Sequence, residues 1–438
     1  MATPEHHAED VGAKIPEHWS AGVQPNAASF AHWLDTFHDP ALTALVRAAL
    51  ADNYDIKAKA ARVEKARRQA IIDGAGRLPQ LSFGTSYQGE QTHDVGYGSV
   101  SYGNFYTMFY LSWELDVWGR IQAYQQAAEQ EAIATQSDLR LGQLSLAALT
   151  ARTYFELAEA RLQVEVIEQA AKDRSIIAEL VRGRFMRGLS QALEVRMVLT
   201  DVANAKAQLA QAQNQTQLLT RSLEAQLGRY PSGTLSKKPL LPEPPAELSA
   251  GLPSELLARR PDISAAFERL RAADSRLESA QKALLPRFSL TADGGTITPS
   301  LHQIVDPRQL AWNLMMGMAQ PIFTGGRLMG EIDKNSALVD EALNTYKNTA
   351  IQTFKEVEQT LAAEQHWRDQ ELAYREAVEQ TNASRSLALY SYQRGNIDML
   401  TLLDRYRSTL TTQLSHLAAK RQLLNNRINL YLALGGEV

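Results

Sequence analysis

Displaced by 207 residues, the chain matches itself without an insertion from about Leu50 to its last few residues. Pro79 falls on Pro286, Gly119-Arg120 on Gly326-Arg327, Gly188 on Gly395, and Leu227-Gly228 on Leu434-Gly435. Short stretches agree as well: Leu78-Pro79-Gln80-Leu81-Ser82 answers Leu285-Pro286-Arg287-Phe288-Ser289, and Asp55-Ile56 answers Asp262-Ile263. One offset held by four landmark pairs marks a tandem duplication. Each repeat carries apolar faces that it cannot cover alone, so the chain has to fold as part of an assembly.

Proline sets the boundaries. None lies between Pro79 and Pro231 or after Pro321, whereas residues 231–261 hold seven. The expected organisation is an N-terminal extended segment (1–41), repeat one (42–230), a Pro-rich linker (231–252) and repeat two (253–438). The stretch after Gly119 is rich in Ala, Gln, Glu, Leu and Arg, and reads as one helix to about Arg187. A second helix follows, from about Gln191 to Leu227, stopped at Gly228. Repeat two answers with helices from Arg327 to about Arg394 and from Met399 to Leu434. A shorter helix opens each repeat, at about Leu42–Ala75 and Pro253–Leu284. Some 65 residues at about 1.5 Å each make a rod of about 100 Å, too long for a globular core. Alanines 147, 148, 151, 158 and 160 suit close side-by-side packing of such rods.

Between the helices lie segments of period two, expected as strands at about 80–91 and 105–116, then at about 287–297 and 310–320. In the first, Leu81, Phe83, Thr85 and Tyr87 share one face and Ser82, Gly84, Ser86 and Gln88 the other. In the second, Phe105, Thr107, Phe109, Leu111, Trp113 and Leu115 alternate with Tyr106, Met108, Tyr110, Ser112 and Glu114. Repeat two sets Phe288, Leu290 and Ala292 against Ser289, Thr291 and Asp293, and Trp312, Leu314, Met316 and Met318 against Ala311, Asn313, Met315 and Gly317. Residues 92–104 and 297–309 are expected as exposed loops. A strand of roughly ten residues spans a bilayer at barrel tilt. A closed barrel in lipid would cover both the apolar faces and the strand edges. Four strands cannot close one; two copies would bring eight and three would bring twelve. Tyr87, Tyr102, Phe105, Trp113, Trp118 and Trp312 fit an interfacial aromatic belt.

Composition removes other classes. A net charge of −4 and a pI near 6.2 leave no electrostatic footprint for nucleic acid. Zero cysteines exclude disulfides and thiolate chemistry. No apolar run is long enough for a transmembrane helix. The polar start, Met1-Ala2-Thr3-Pro4-Glu5-His6-His7, is not a secretory signal, which fits a cytosolic protein or a mature chain whose export segment has been removed. Nine scattered histidines and the lack of a phosphate-binding glycine loop give no catalytic or metal constellation, so neither an enzyme nor a cofactor is expected.

These features together resemble the TolC/OprM family, the trimeric outer-membrane channels of tripartite efflux and type I secretion systems, and most of all its OprM-like branch. The stretch Gly251-Leu252-Pro253-Ser254-Glu255-Leu256-Leu257-Ala258-Arg259-Arg260-Pro261-Asp262-Ile263 carries that likeness, with Trp33, Phe37, Asp39-Pro40, Leu42 and Asn53 at the start. The resemblance implies an α+β membrane protein: a tandem repeat of helix, strand, strand, long helix and helix. Three copies would make a homotrimeric 12-stranded β-barrel continuous with a long periplasmic α-helical barrel. It implies a place in the outer membrane of a bacterial cell, with the tunnel in the periplasm. It further implies a passive exit duct for drugs or other small toxic compounds, in partnership with a periplasmic adaptor (membrane fusion protein) and an inner-membrane RND-type transporter. Members of this branch usually begin at a lipid-modified cysteine, and this chain has none. After Pro261 it reads Ala265-Ala266-Phe267-Glu268, without the branch's common Ala-Glu pair.

The informative positions are the two helix junctions, Arg187-Gly188-Leu189-Ser190 and Arg394-Gly395-Asn396-Ile397. Glycine there permits a tight reversal. By resemblance, Arg187, Gly188, Leu189, Ser190, Gly395 and Asn396 form the tip that contacts the adaptor. Beyond the second turn, Leu400 and Asp404 stand four apart on one helical face. The OprM-like pattern Thr401-Leu402-Leu403-Asp404 places the periplasmic gate at those two positions, with Tyr392 and Arg394 holding the closed state through a neighbouring helix. Repeat one has Leu193 and Met197 at the matching sites, so the acidic ring would come from repeat two alone. A type I protein-secretion duct stays open within this class. A coiled-coil scaffold, soluble without detergent and with the strands as a small capping sheet, stays open outside it.

Overall fold

The computed structural model describes residues 33–94, 98–235, 240–245 and 256–436, with positions 6, 11, 19, 20, 96 and 253. The chain start (1–5), half of the Pro-rich linker (236–239 and 246–252), and Ser254 and Glu255 of the family-like stretch lie outside the described residues. Helices α1 (Pro40–Asp52) and α2 (Tyr54–Gly74) open repeat one, followed by strands β1 (Gln80–Asp94) and β2 (Gly98–Leu115) and helices α3 (Arg120–Met186) and α4 (Ala192–Gln226). Repeat two runs α5 (Leu256–Arg259), α6 (Pro261–Lys282), β3 (Arg287–Thr298), β4 (Leu310–Ala319), α7 (Arg327–Gln393) and α8 (Met399–Ala433). Two compact units emerge, one built mainly from Ala60–Asp138 and Asp262–Thr349, the other from Leu139–Pro261, Ala350–Val438 and the segment up to Lys59.

The first unit holds the sheet, ordered β1-β2-β3-β4 and antiparallel throughout. Its register lines the alternating residues into rows across the strands. Phe83 pairs with Phe109, Phe109 with Gly294 and Gly294 with Trp312. The next row runs Leu81, Leu111, Ala292, Leu314, and a third runs Trp113, Leu290, Met316. One face is therefore apolar from edge to edge. The other carries Ser82, Tyr110, Asp293 and Asn313 in a single row. The apolar face stays open, with Leu81, Phe83, Phe109, Trp312, Leu314, Met316 and Met318 all more than half exposed.

Three expectations need correction. Residues 92–104 are not one long loop: β1 runs to Asp94, β2 starts at Gly98, and their register continues to the Asp94–Gly98 pair. Polar cross-strand pairs extend the ladder where the hydrophobic alternation stops, as where Tyr102 Oη donates to Glu90 Oε2 at 2.7 Å. The first helix of repeat one is broken at Asn53, which is extended at φ −63° and ψ 128°. Its side chain caps the new start, accepting from Asp55 N at 2.9 Å and Ile56 N at 3.3 Å. The first helix of repeat two is interrupted at Arg260, ahead of Pro261, because a residue before proline avoids the helical region.

Those two breaks are repeat mates, and they do the same work. Asn53 Nδ2 donates to Gln226 O at 3.0 Å, and Arg260 Nη1 donates to Ala433 O at 3.2 Å. Positions 226 and 433 also stand one repeat apart, so the duplication persists down to one side chain capping one helix end. Around them lies the main core of the second unit, with Trp33, Phe37, Phe155 and Tyr431 at its centre. Trp33 stacks on Tyr431 at 5.6 Å and Phe37 meets Phe155 at 5.2 Å. Alanines 147, 148, 151, 158 and 160 are all buried, as close helix packing requires.

Candidate functional site

Two hairpin turns in the second unit end the long helices in the same way. Gly188 and Gly395 take φ of 75° and 78°, open to glycine and strained for other residues. Leu189 N donates to Arg184 O and Asn396 N to Ser391 O, each at 2.9 Å, while each glycine N–H bonds back three residues. These are Schellman closures, which satisfy the last carbonyls of α3 and α7. The exits differ. Asp398 caps α8, accepting from Thr401 N at 2.7 Å, and bonds from the Thr401 side chain and backbone hold its carboxyl below the usual carboxylate range. Gln191 begins α4 with Glu194 in a reciprocal capping box.

Behind the turns a small apolar cluster joins the two hairpins: Ile177, Ala178 and Val181 of α3, Val198 of α4, Ala388 and Tyr392 of α7, and Met399, Leu402, Leu403 and Tyr406 of α8. Tyr392 is buried, with the Arg184 guanidinium 5.1 Å from its ring centre. Burial pushes its phenol pKa up, and the facing Ser190 hydroxyl offsets part of that rise. Neither Ser190 Oγ nor Tyr392 Oη makes a well-formed hydrogen bond, so two polar atoms at the turn stay under-satisfied. Arg394, the first residue past α7, lies over Tyr390 of that helix at 4.2 Å. Tyr392 thus packs against Arg184 of α3, and Arg394 against Tyr390. Arg187 Nε returns to Gly183 O at 3.1 Å.

Leu400 and Asp404 share the open face of α8, while Leu402, Leu403 and Tyr406 fill its buried face. Leu400 is 58% exposed and Leu193, its repeat mate, 65%. Asp404 Oδ2 accepts only from the adjacent Arg405 Nη2, at 2.9 Å, so its carboxylate remains in solvent. Gly395, Leu400 and Asp404 thus occur together at one hairpin end, on a surface that none of the described residues covers.

Sequence reasoning missed an ionic cluster just behind this end. Asp201 of α4, 3% exposed, accepts from Arg407 of α8 through Nη2 at 2.6 Å and Nε at 3.0 Å. Arg174 Nε of α3 lies 2.9 Å from its other oxygen as an ion pair. The neighbouring Asp173 pairs with Arg385 of α7 at 3.1 Å, and Arg385 lies over the Tyr406 ring at 5.6 Å. A cavity of about 280 Å³ opens beside them. Four helices are tied by two adjacent residues of α3. The repeat mates of these residues are Gln380, Thr381, Ser408, Thr200, Ala178 and Leu199, none of them charged. Here the chain departs from its own duplication, and the departure bridges the two hairpins. Among the described residues no cluster of metal-ligating side chains occurs, and no helix is long and apolar enough to cross a membrane.

Comparison with known proteins places this architecture. Residues 45–229 and 252–436 each match the family model for outer membrane efflux proteins. The solvent efflux pump outer membrane protein SrpC of Pseudomonas putida is 30% identical over 98% of this chain and 93% of its own length. The pyoverdine export outer membrane protein OpmQ of Pseudomonas aeruginosa is likewise 30% identical, over 98% of this chain and 92% of its own. Among solved structures, the outer-membrane channel OprN superposes with a TM-score of 0.90 at 25% identity, covering 99% of both chains.

Proposed function

Because this chain belongs to the outer membrane efflux protein family, we propose that three copies close one duct and that its helical hairpin ends form a gated periplasmic mouth. The observation that carries this reading is the sheet. It has one face apolar from edge to edge, an opposite face on which Ser82, Gln88, Asp293 and Asn313 stand among Tyr106, Met108, Tyr110 and Met315, and free outer edges on β1 and β4. Joining β4 of one copy to β1 of the next covers both edges, turns the apolar face to lipid and leaves the polar face on a water-filled lumen. Three copies give twelve strands, wide enough for an aqueous channel, which eight strands are not.

At the mouth, Leu400 from each copy narrows the passage and disfavours water. The Asp404 carboxylates, held only by Arg405, draw cations and repel anions. The duct is passive: the chain has no nucleotide-binding loop and no catalytic constellation. A periplasmic adaptor docks on the turns around Gly188 and Gly395, and an inner-membrane RND-type transporter drives the cargo. Opening spreads the hairpin ends, where the under-satisfied Ser190–Tyr392 pair is readily released. The cargo is a small toxic molecule, in line with relatives named for solvent efflux and pyoverdine export. Those names favour small-molecule efflux over protein secretion, and the open apolar face of the sheet argues against a soluble scaffold. The test is the native mass of the detergent-purified protein. Three chains support the ring; two chains, or one chain soluble without detergent, overturn it.

A further inference from the structure

Every Asp, Glu, Lys and Arg of the four strands stands on the polar face of the sheet, and all but one lie near its two ends. Glu90 and Asp94 lie beyond the last β2–β3 pair, Phe105 with Thr298. Glu114 and Arg287 lie at the opposite end, where Glu114 pairs with Arg120 at 2.9 Å. Between them stands Asp293 of β3. Its row runs Ser82, Tyr110, Asp293, Asn313, and two apolar rows bracket it on the other face. Those rows are Leu81, Leu111, Ala292, Leu314 and Phe83, Phe109, Gly294, Trp312. A charge at the depth of such a band is costly in hydrocarbon, so a carboxylate kept there faces water and marks the path of ions or cargo. Nothing neutralises it. Asn313 Nδ2 donates to Asp293 Oδ1 at 3.3 Å, and among the described residues no arginine, lysine or histidine pairs with it. Nor does the duplication account for it, since its repeat mate is Ser86.

We propose that Asp293 and Tyr110 form a station on the barrel wall that holds organic cations among the cargo as they pass. The proposal rests on the duct described above, with the polar face turned to its lumen, and it adds a selecting position apart from Leu400 and Asp404. Tyr110 is the cross-strand partner of Asp293, a placement that sets the two side chains about 5 Å apart at their Cβ atoms. It is 44% exposed. Its ring lies over Gly84 of β1, where a Cβ would stand 3.2 Å from it, and so it rests on the side away from Asp293. Gly295, the next residue of β3 on the same face, adds no side chain. A carboxylate beside an open aromatic ring suits an ammonium with an apolar body: the charge attracts it, and the ring adds cation–π and apolar contact. An anion is repelled at the same place. The reach of the carboxylate is about 10 Å at 0.1 M salt, so in a wide lumen it acts on molecules that travel along the wall.

The chain has no cysteine, so a single introduced thiol reports on one place. Thr291→Cys sets a thiol on the polar face, two residues or about 7 Å from Asp293, and Ala292→Cys sets one on the apolar face. In lipid vesicles each is treated with two methanethiosulfonate reagents of similar size, one bearing a trimethylammonium group and the other a sulfonate. Thr291→Cys should react with both, Ala292→Cys with neither. Adding Asp293→Asn to Thr291→Cys should lower the cation-to-anion rate ratio about fivefold, as for a solvated ion pair. Asp293→Glu, which keeps the charge, should leave the ratio high. At 1 M salt, where the screening length is about 3 Å, the two ratios should converge. Benzyltrimethylammonium should slow the reaction of Thr291→Cys, less so with Tyr110→Leu and not with Asp293→Asn, and benzyl alcohol, its neutral counterpart, should not slow it. A reactive thiol at position 291 whose ratio ignores Asp293→Asn, or whose rate is untouched by benzyltrimethylammonium, would overturn the station and leave the duct standing. A thiol that reacts at position 292 and not at 291 would overturn the lumen assignment, and the duct reading with it.

Discussion

Asp404 and Asp201 show what one carboxylate does in two settings on the same hairpin end. Asp404 stands in solvent beside Arg405, where an ion pair contributes little to stability, so in the proposed mouth its charge would be free to act on passing ions. Asp404→Ala should raise single-channel conductance and weaken cation preference; if neither changes, Asp404 is not at the constriction. Asp201 is the shared counter-charge of Arg174 and Arg407, with Arg174 itself 5% exposed. Removing one partner of a buried pair costs about 3–5 kcal/mol, because the remaining charge is left uncompensated. Asp201→Ala should therefore loosen the joint between the hairpins, read as faster amide exchange over residues 174–181 and 402–410. Unchanged exchange would show that the cluster is not structural. The two residues were not equally legible. Leu400 and Asp404 were singled out by resemblance, through the OprM-like stretch Thr401-Leu402-Leu403-Asp404, and their spacing of four puts them on one helical face. Asp201 could not be singled out, since its partners lie 27 and 206 positions away and its repeat mate is a serine.

At the scale of elements, the hairpin turns depend on backbone that few side chains adopt. Gly395, at φ 78°, should tolerate Asn better than Ala, with Gly395→Ala costing about 1–2 kcal/mol of local stability. Circular dichroism melting of the two variants in detergent would rank them, and equal melting would refute the strain argument. The start of α8 carries a pH dependence. The Asp398 carboxyl is held below its usual range by its bonds to Thr401, so its cap is at full strength above the ordinary carboxylate pKa and is lost as pH falls through the lowered value. Asp398→Asn keeps an acceptor without the titration. Amide exchange at Thr401 should quicken in acid in the parent and stay flat in that variant, and parallel profiles would exclude the cap as the cause. Helix ends at Gly188, Gly228, Gly395 and Gly435 were legible because glycine stops are local chemistry. The break at Asn53 was not, because it is held by a carbonyl 173 residues away. Nor was the start of β2, where Gly98–Asn104 lacks the alternation that signals a strand and polar cross-strand pairing supplies the ladder instead.

The whole molecule is a duplication, which the proposed ring would complete by association. The repeat of 207 residues was visible in the sequence and accounts for the paired strands, the paired turns and the matched caps at Asn53 and Arg260. What the duplication does not contain is its own ending: α2 and α7 present unmatched flanks, and β1 and β4 present unmatched edges. The proposed ring of three copies would answer all four. The strands were legible from their alternation, but the number of copies that would close a barrel is not written in one sequence. The most direct measurement is single-channel current from the purified protein in a planar bilayer. A twelve-stranded duct narrowed at Leu400 and Asp404 predicts small, uniform, cation-preferring steps. A protein that stays in solution and never inserts, or one that passes anions as readily as cations, would contradict it.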